Sequence, residues 1–130
     1  MNLQTRWLMA SSALVLLVCG LSVSFFTPEL LEIFVGEIDA VALVFGQLLG
    51  AAWLGFAFMN WMGRGTSMGG IYGRPVSMPN FVHFMIVGIT LTKLAFVVAH
   101  PVVIAGALAS AVFAGWFALV VFAGQPTPKT

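Results

Sequence analysis

Charge is what this sequence has least of. Only 7% of its 130 residues are charged, five basic and four acidic, whereas an ordinary soluble domain carries about 25%. The rest is 61% hydrophobic, with a mean hydropathy of +1.08. A small chain of this kind cannot hide its apolar surface from water, because small folds have a high ratio of surface to volume. Lipid must cover what the protein cannot. Cysteine is nearly absent too: Cys19 stands alone, which excludes an internal disulfide and a multi-cysteine metal site. No cluster of Lys and Arg exists, and that excludes a nucleic-acid partner, since phosphate neutralisation needs one.

Histidine is nearly as scarce as cysteine. His83 and His100 are the two in the chain, and their separation is about 25 Å along one helix. They cannot ligate one haem together, so no cofactor and no metal is expected. Catalytic groups are also missing. There is no nucleotide-binding loop, zinc-ligand spacing or nucleophile motif, and no acidic partner lies beside His83 for acid–base work. No catalytic residue is assigned, and the chain reads as leaning away from an enzyme.

Four long apolar runs are present, at about 7–26, 40–62, 81–99 and 102–123. Each approaches the roughly 20 residues that cross a bilayer core. In lipid every backbone group must be satisfied within the segment, so the runs are expected to be helices despite their many Val and Ile residues. The expected fold is a single all-α membrane domain over 1–130, a four-helix antiparallel bundle. Between the first two spans, Thr27 as N-cap, Pro28 and Glu29 predict a short interfacial helix. It would stop at Gly36, and Asp39 would cap the second span. Seven Gly and Pro residues between 63 and 80 predict the longest loop.

The few charges are sorted by position. Arg6, Arg64, Arg74 and Lys129 fall at the amino end, the middle loop and the carboxyl end, which share one side of a four-span chain. Glu29, Glu32, Glu37 and Asp39 fall on the other side. Basic residues favour the cytoplasm, so both termini are expected inside.

Small residues recur on the second span, where Gly46, Gly50 and Ala57 share a face suited to close helix contact. Gly106 and Ser110 do the same on the fourth. Lys93 is the one charge within a span. Counted from Asn80 it lies about 20 Å in, level with Gln47, at a cost of about 3 kcal/mol unless it is partnered. It either bonds Gln47 or snorkels towards Glu37 and Asp39. At the cytoplasmic edge Asn60, Arg64, Tyr72, Arg74, Asn80 and His83 form a candidate site for an anionic group or lipid headgroup, because guanidinium grips phosphate or carboxylate in a fork. The plainer reading is that these groups satisfy loop carbonyls.

The run Gly69-Gly70-Ile71-Tyr72-Gly73-Arg74-Pro75, with Asn60-Trp61, Arg64, Asn80, His83-Phe84 and Lys93 around it, resembles an uncharacterised family of small bacterial four-helix inner-membrane proteins. That family is loosely similar to DoxX, whose second helix often begins with a basic residue where this chain has Gln47. The resemblance implies the bacterial cytoplasmic membrane and no particular activity. Two functions from different classes follow. One is an accessory subunit packing against other membrane proteins, or itself, through aromatic and small-residue faces; the chain has 12 Phe and 4 Trp. The other is a small oligomeric carrier or channel lined by Lys93, Gln47 and His83, or an anionic-lipid-binding protein using the Arg and His cluster.

Overall fold

The structure, a computed structural model, describes residues 3–35, 38–65 and 73–122. The chain is all-α. Five helices follow one another: α1 (Leu3–Phe25), α2 (Thr27–Val35), α3 (Ala40–Gly63), α4 (Arg74–Val97) and α5 (Pro101–Phe122). All but α2 are long and apolar enough to span a bilayer. This is an integral, multi-pass membrane protein by the length and composition of its helices.

The chain divides into two compact units, Met9–Arg64 and a second one made of Met1–Leu8 with Gly65–Thr130. In the first, α1 runs against α3 in reverse register. Ser12 meets Asn60, Gly20 meets Leu54 and Gly50, and Ser24 meets Gly50; Thr27, at the start of α2, meets Gly46. Hydrophobic attraction between helices is weak in lipid, so close backbone approach and interhelical hydrogen bonds must hold such a pair. Glycine permits that approach. A methyl group on Gly50 would lie 2.8 Å from the Ser24 backbone nitrogen and 3.0 Å from the Gly20 carbonyl oxygen.

In the second unit α4 packs along α5. Phe84 stacks on Phe113 and Phe117, with ring centroids 4.9 and 5.8 Å away, and Phe81 meets Phe122 edge-on at 5.4 Å. The two helices come near each other at Gly88, where an added methyl would touch Ser110 and Ala111 at 3.5 Å. Again the register is reversed, as the tight turn at 98–100 demands. There His100 accepts a hydrogen bond from the Val102 N–H through Nδ1, at 3.3 Å, and so caps α5.

Two local expectations are corrected. The loop expected to run to Asn80 is helical from Arg74 onward. Pro75 falls at the first positions of the helix, where a missing N–H costs nothing, and Pro79 one turn later deprives only the Pro75 carbonyl of its donor. Serine and asparagine side chains reinforce this turn: Ser77 donates to the Gly73 carbonyl at 2.6 Å and Asn80 to the Val76 carbonyl at 2.8 Å. Thr27 does not cap α2 forward; its hydroxyl donates back to the Val23 carbonyl of α1, which ties the two helices at their bend. Asp39 does cap α3, accepting from the Ala42 N–H at 2.6 Å. The short helix between the first two spans lies where the sequence predicts it.

Candidate functional site

The cluster expected to hold an anionic group begins with Asn60 and Arg64, at the end of α3. Asn60 is fully buried. Its side-chain amide donates to Ser12 Oγ at 3.0 Å, and that hydroxyl donates in turn to the Met9 carbonyl at 3.1 Å. This is a packing role: a polar group that would be costly in lipid is satisfied by the neighbouring helix. Arg64 lies over the Trp61 ring, 3.6 Å from the centroid, and its guanidinium donates to the Trp61 carbonyl. The cation thus has a π face and a carbonyl from its own turn.

The remaining members belong to the other unit. Arg74 is exposed as the first residue of α4. Asn80 is fully buried and bonded to Val76 as above. His83 is half-buried with its ring edge-on to Phe84, centroids 5.2 Å apart. Tyr72, like Glu37 and Lys129, lies outside the described residues. Within each unit, therefore, the asparagines are turned to backbone and hydroxyl partners. Among the described residues no group of three His, Cys, Asp or Glu side chains is placed to hold a metal.

The candidate intramembrane polar residues are both exposed. Gln47 is exposed on α3, two turns from its start, and Lys93 is exposed on α4. Because α4 starts at Arg74, Lys93 stands about 28 Å along it, four residues before its last residue, Val97. Arg74 and Lys93 therefore bracket a stretch about as long as the hydrocarbon core is thick, roughly 30 Å. The small residues meet different neighbours. Gly46 faces Thr27 and Gly50 faces Ser24, while Ala57 is buried on the same helix. Gly106 approaches the end of Leu91, and Ser110 is buried against Gly88.

A second small-residue face on α3 escapes the sequence reading. Gln47, Ala51 and Gly55 are all exposed, and a methyl group added to Gly55 would meet nothing within 4 Å. Gly55 points about 180° away from Gly46 around the helix axis. The signal that could have found it is the repeat of polar or small residues every fourth position, offset by one from Gly46 and Gly50. The contacts of Ser12 with Asn60 and of Ser24 with Gly50 also escape the sequence reading, because each partner is distant in sequence. Trp53 adds a buried indole N–H that has no hydrogen-bond partner among the described residues.

Compared with known proteins, the chain matches no family model, no curated protein and no solved structure.

Proposed function

We propose that this protein is a small accessory subunit of a larger assembly in the bacterial cytoplasmic membrane, with both termini in the cytoplasm. One observation carries the reading. The α3 helix has two faces of small residues, and only one is covered among the described residues. Gly46 and Gly50 receive Thr27 and Ser24, while Gln47, Ala51 and Gly55 lie exposed on the outside. A glutamine on a lipid-facing surface is unfavourable. Beside Ala51 and Gly55 it becomes a hydrogen-bonding group on a surface that another transmembrane helix can approach closely. The partner is therefore a membrane helix with its own small residues and a polar group opposite Gln47.

The sorting of charge supports the orientation. Arg64 follows the end of α3 and Arg74 begins α4, at the same side of the bilayer in a four-span chain, whereas Glu29, Glu32 and Asp39 belong to the connection between α1 and α3. Native mass spectrometry of the protein, released gently from its own membrane, tests the subunit reading. The expected result is a stoichiometric assembly that Gly55→Leu disrupts while the isolated protein keeps its thermal stability. A wild-type monomer, or an assembly indifferent to Gly55→Leu and Gln47→Leu, would refute it.

A further inference from the structure

The α4–α5 pair holds an open groove with a cavity volume of about 420 Å³, within the range of about 300–1,000 Å³ typical of ligand sites. Along α4 its wall runs from Phe84 past Gly88 to Lys93, and its floor on α5 is Ala111 and Ala114. The helices touch at Gly88, and beside that contact the small side chains of Ala111 and Ala114 leave the groove open.

The two ends of the groove differ in chemistry. Phe84, stacked on Phe113 and Phe117, stands at one end. Lys93 stands at the other, about 13 Å away along the helix. That length is close to the depth of one leaflet, half of a hydrocarbon core of roughly 30 Å. Between the ends the lining is dry. The one hydroxyl, on Thr92, is spent on the Gly88 carbonyl at 2.7 Å. Lys93 has no carboxylate partner among the described residues, and its place about 28 Å from Arg74 puts its ammonium at headgroup depth when Arg74 lies at the opposite surface.

A cation at headgroup level above a dry channel one leaflet deep matches an amphiphile with an anionic head and an acyl tail. The geometry points to an anionic phospholipid, bound with one acyl chain in the groove between α4 and α5 and its phosphate at the Lys93 ammonium. This site is separate from the α3 face and stands whether or not that face has a partner. The lipid enters sideways from the bilayer, because the groove opens along its length. Lys93 supplies headgroup selection, while the small residues supply room for the chain.

The test is lipid titration of purified, delipidated protein in neutral detergent, read by native mass spectrometry. Phosphatidylglycerol and phosphatidylcholine with matched chains are the probes. One lysine near an anionic headgroup gives a preference of about fivefold for phosphatidylglycerol. Lys93→Gln is expected to abolish that preference and Lys93→Arg to keep it. Ala111→Leu, which fills the floor, is expected to weaken both lipids; Ile89→Trp at the exposed rim does the same should Ala111→Leu fail to fold. Equal binding of the two lipids by the wild type would overturn the proposal. So would a preference that survives Lys93→Gln, or full binding by the filled variants. A dimer cross-linked through Ile89→Cys, in a Cys19→Ser background, would place a second copy in the groove instead and overturn it as well.

Discussion

Gly46 and Gly50 look alike in sequence, yet the structure assigns them different sensitivities to one added methyl group. In Gly46→Ala the new Cβ would fall 2.3 Å from Thr27 Cγ2, while the next atoms, Thr27 Cβ and Oγ1, are both 3.7 Å away. The whole clash is with one methyl. Thr27 cannot swing it aside easily, because a β-branched side chain is stiff and its hydroxyl is held by the Val23 carbonyl. Overpacking of this kind costs about 1–3 kcal/mol. Thr27→Ser removes the offending methyl and keeps the hydroxyl, leaving the new Cβ in ordinary contact. The double variant Gly46→Ala/Thr27→Ser should therefore recover most of the loss, with a coupling of about 1–2 kcal/mol in a double-mutant cycle. In Gly50→Ala the Cβ would fall 2.3 Å from Ser24 Oγ, but also 2.8 Å from the Ser24 nitrogen and 3.0 Å from the Gly20 carbonyl. Removing the hydroxyl with Ser24→Ala leaves both backbone clashes. Here α1 and α3 must separate, the cost should reach about 3 kcal/mol, and no rescue is expected. The assay is equilibrium unfolding in mixed micelles, followed by far-UV circular dichroism. Rescue of Gly50→Ala by Ser24→Ala to the same degree, or no rescue of Gly46→Ala by Thr27→Ser, would refute the packing register.

Two further outcomes follow from the same helices. Ser12→Ala removes the acceptor of the Asn60 amide and should cost about 0.6 kcal/mol, the average for interhelical hydrogen bonds in membranes, and at most roughly 1.7; the same micelle unfolding measures it, and a neutral result would make that bond energetically idle. Reporter fusions test the orientation: a carboxyl-terminal phosphatase should be inactive and a carboxyl-terminal green fluorescent protein bright, whereas active phosphatase would place the carboxyl end outside.

How much of this was legible beforehand depends on whether the controlling partner was near in sequence. The four spans were readable because each is a local property, a run of apolar residues long enough for the bilayer. The Asp39 cap was readable too, since its acceptor and donor are three residues apart. The start of α4 was not, because its prolines suggest a loop until their positions in the first turns are known. Asn60 illustrates the limit for the candidate site. A buried amide beside an arginine reads equally as a ligand group or as half of a helix–helix bond. The serine that decides between them is 48 residues away.

That ambiguity bears on where function should be sought. At the ends of α3 and α4 the polar residues are largely engaged within the chain: Asn60 with Ser12, Arg64 with Trp61, Asn80 with Val76. Lys93 differs because its surroundings are apolar and its charge is not paired among the described residues. An unpaired lysine that merely snorkels would tolerate any neighbours, including large ones that pack the helices more tightly. Instead it ends a groove whose other walls include Gly88, Ala111 and Ala114. The groove of about 420 Å³ opens on the outside of the α4–α5 pair, beside the contact at Gly88. The proposed lipid, with its apolar tail and negative head, would occupy the groove and meet the charge together.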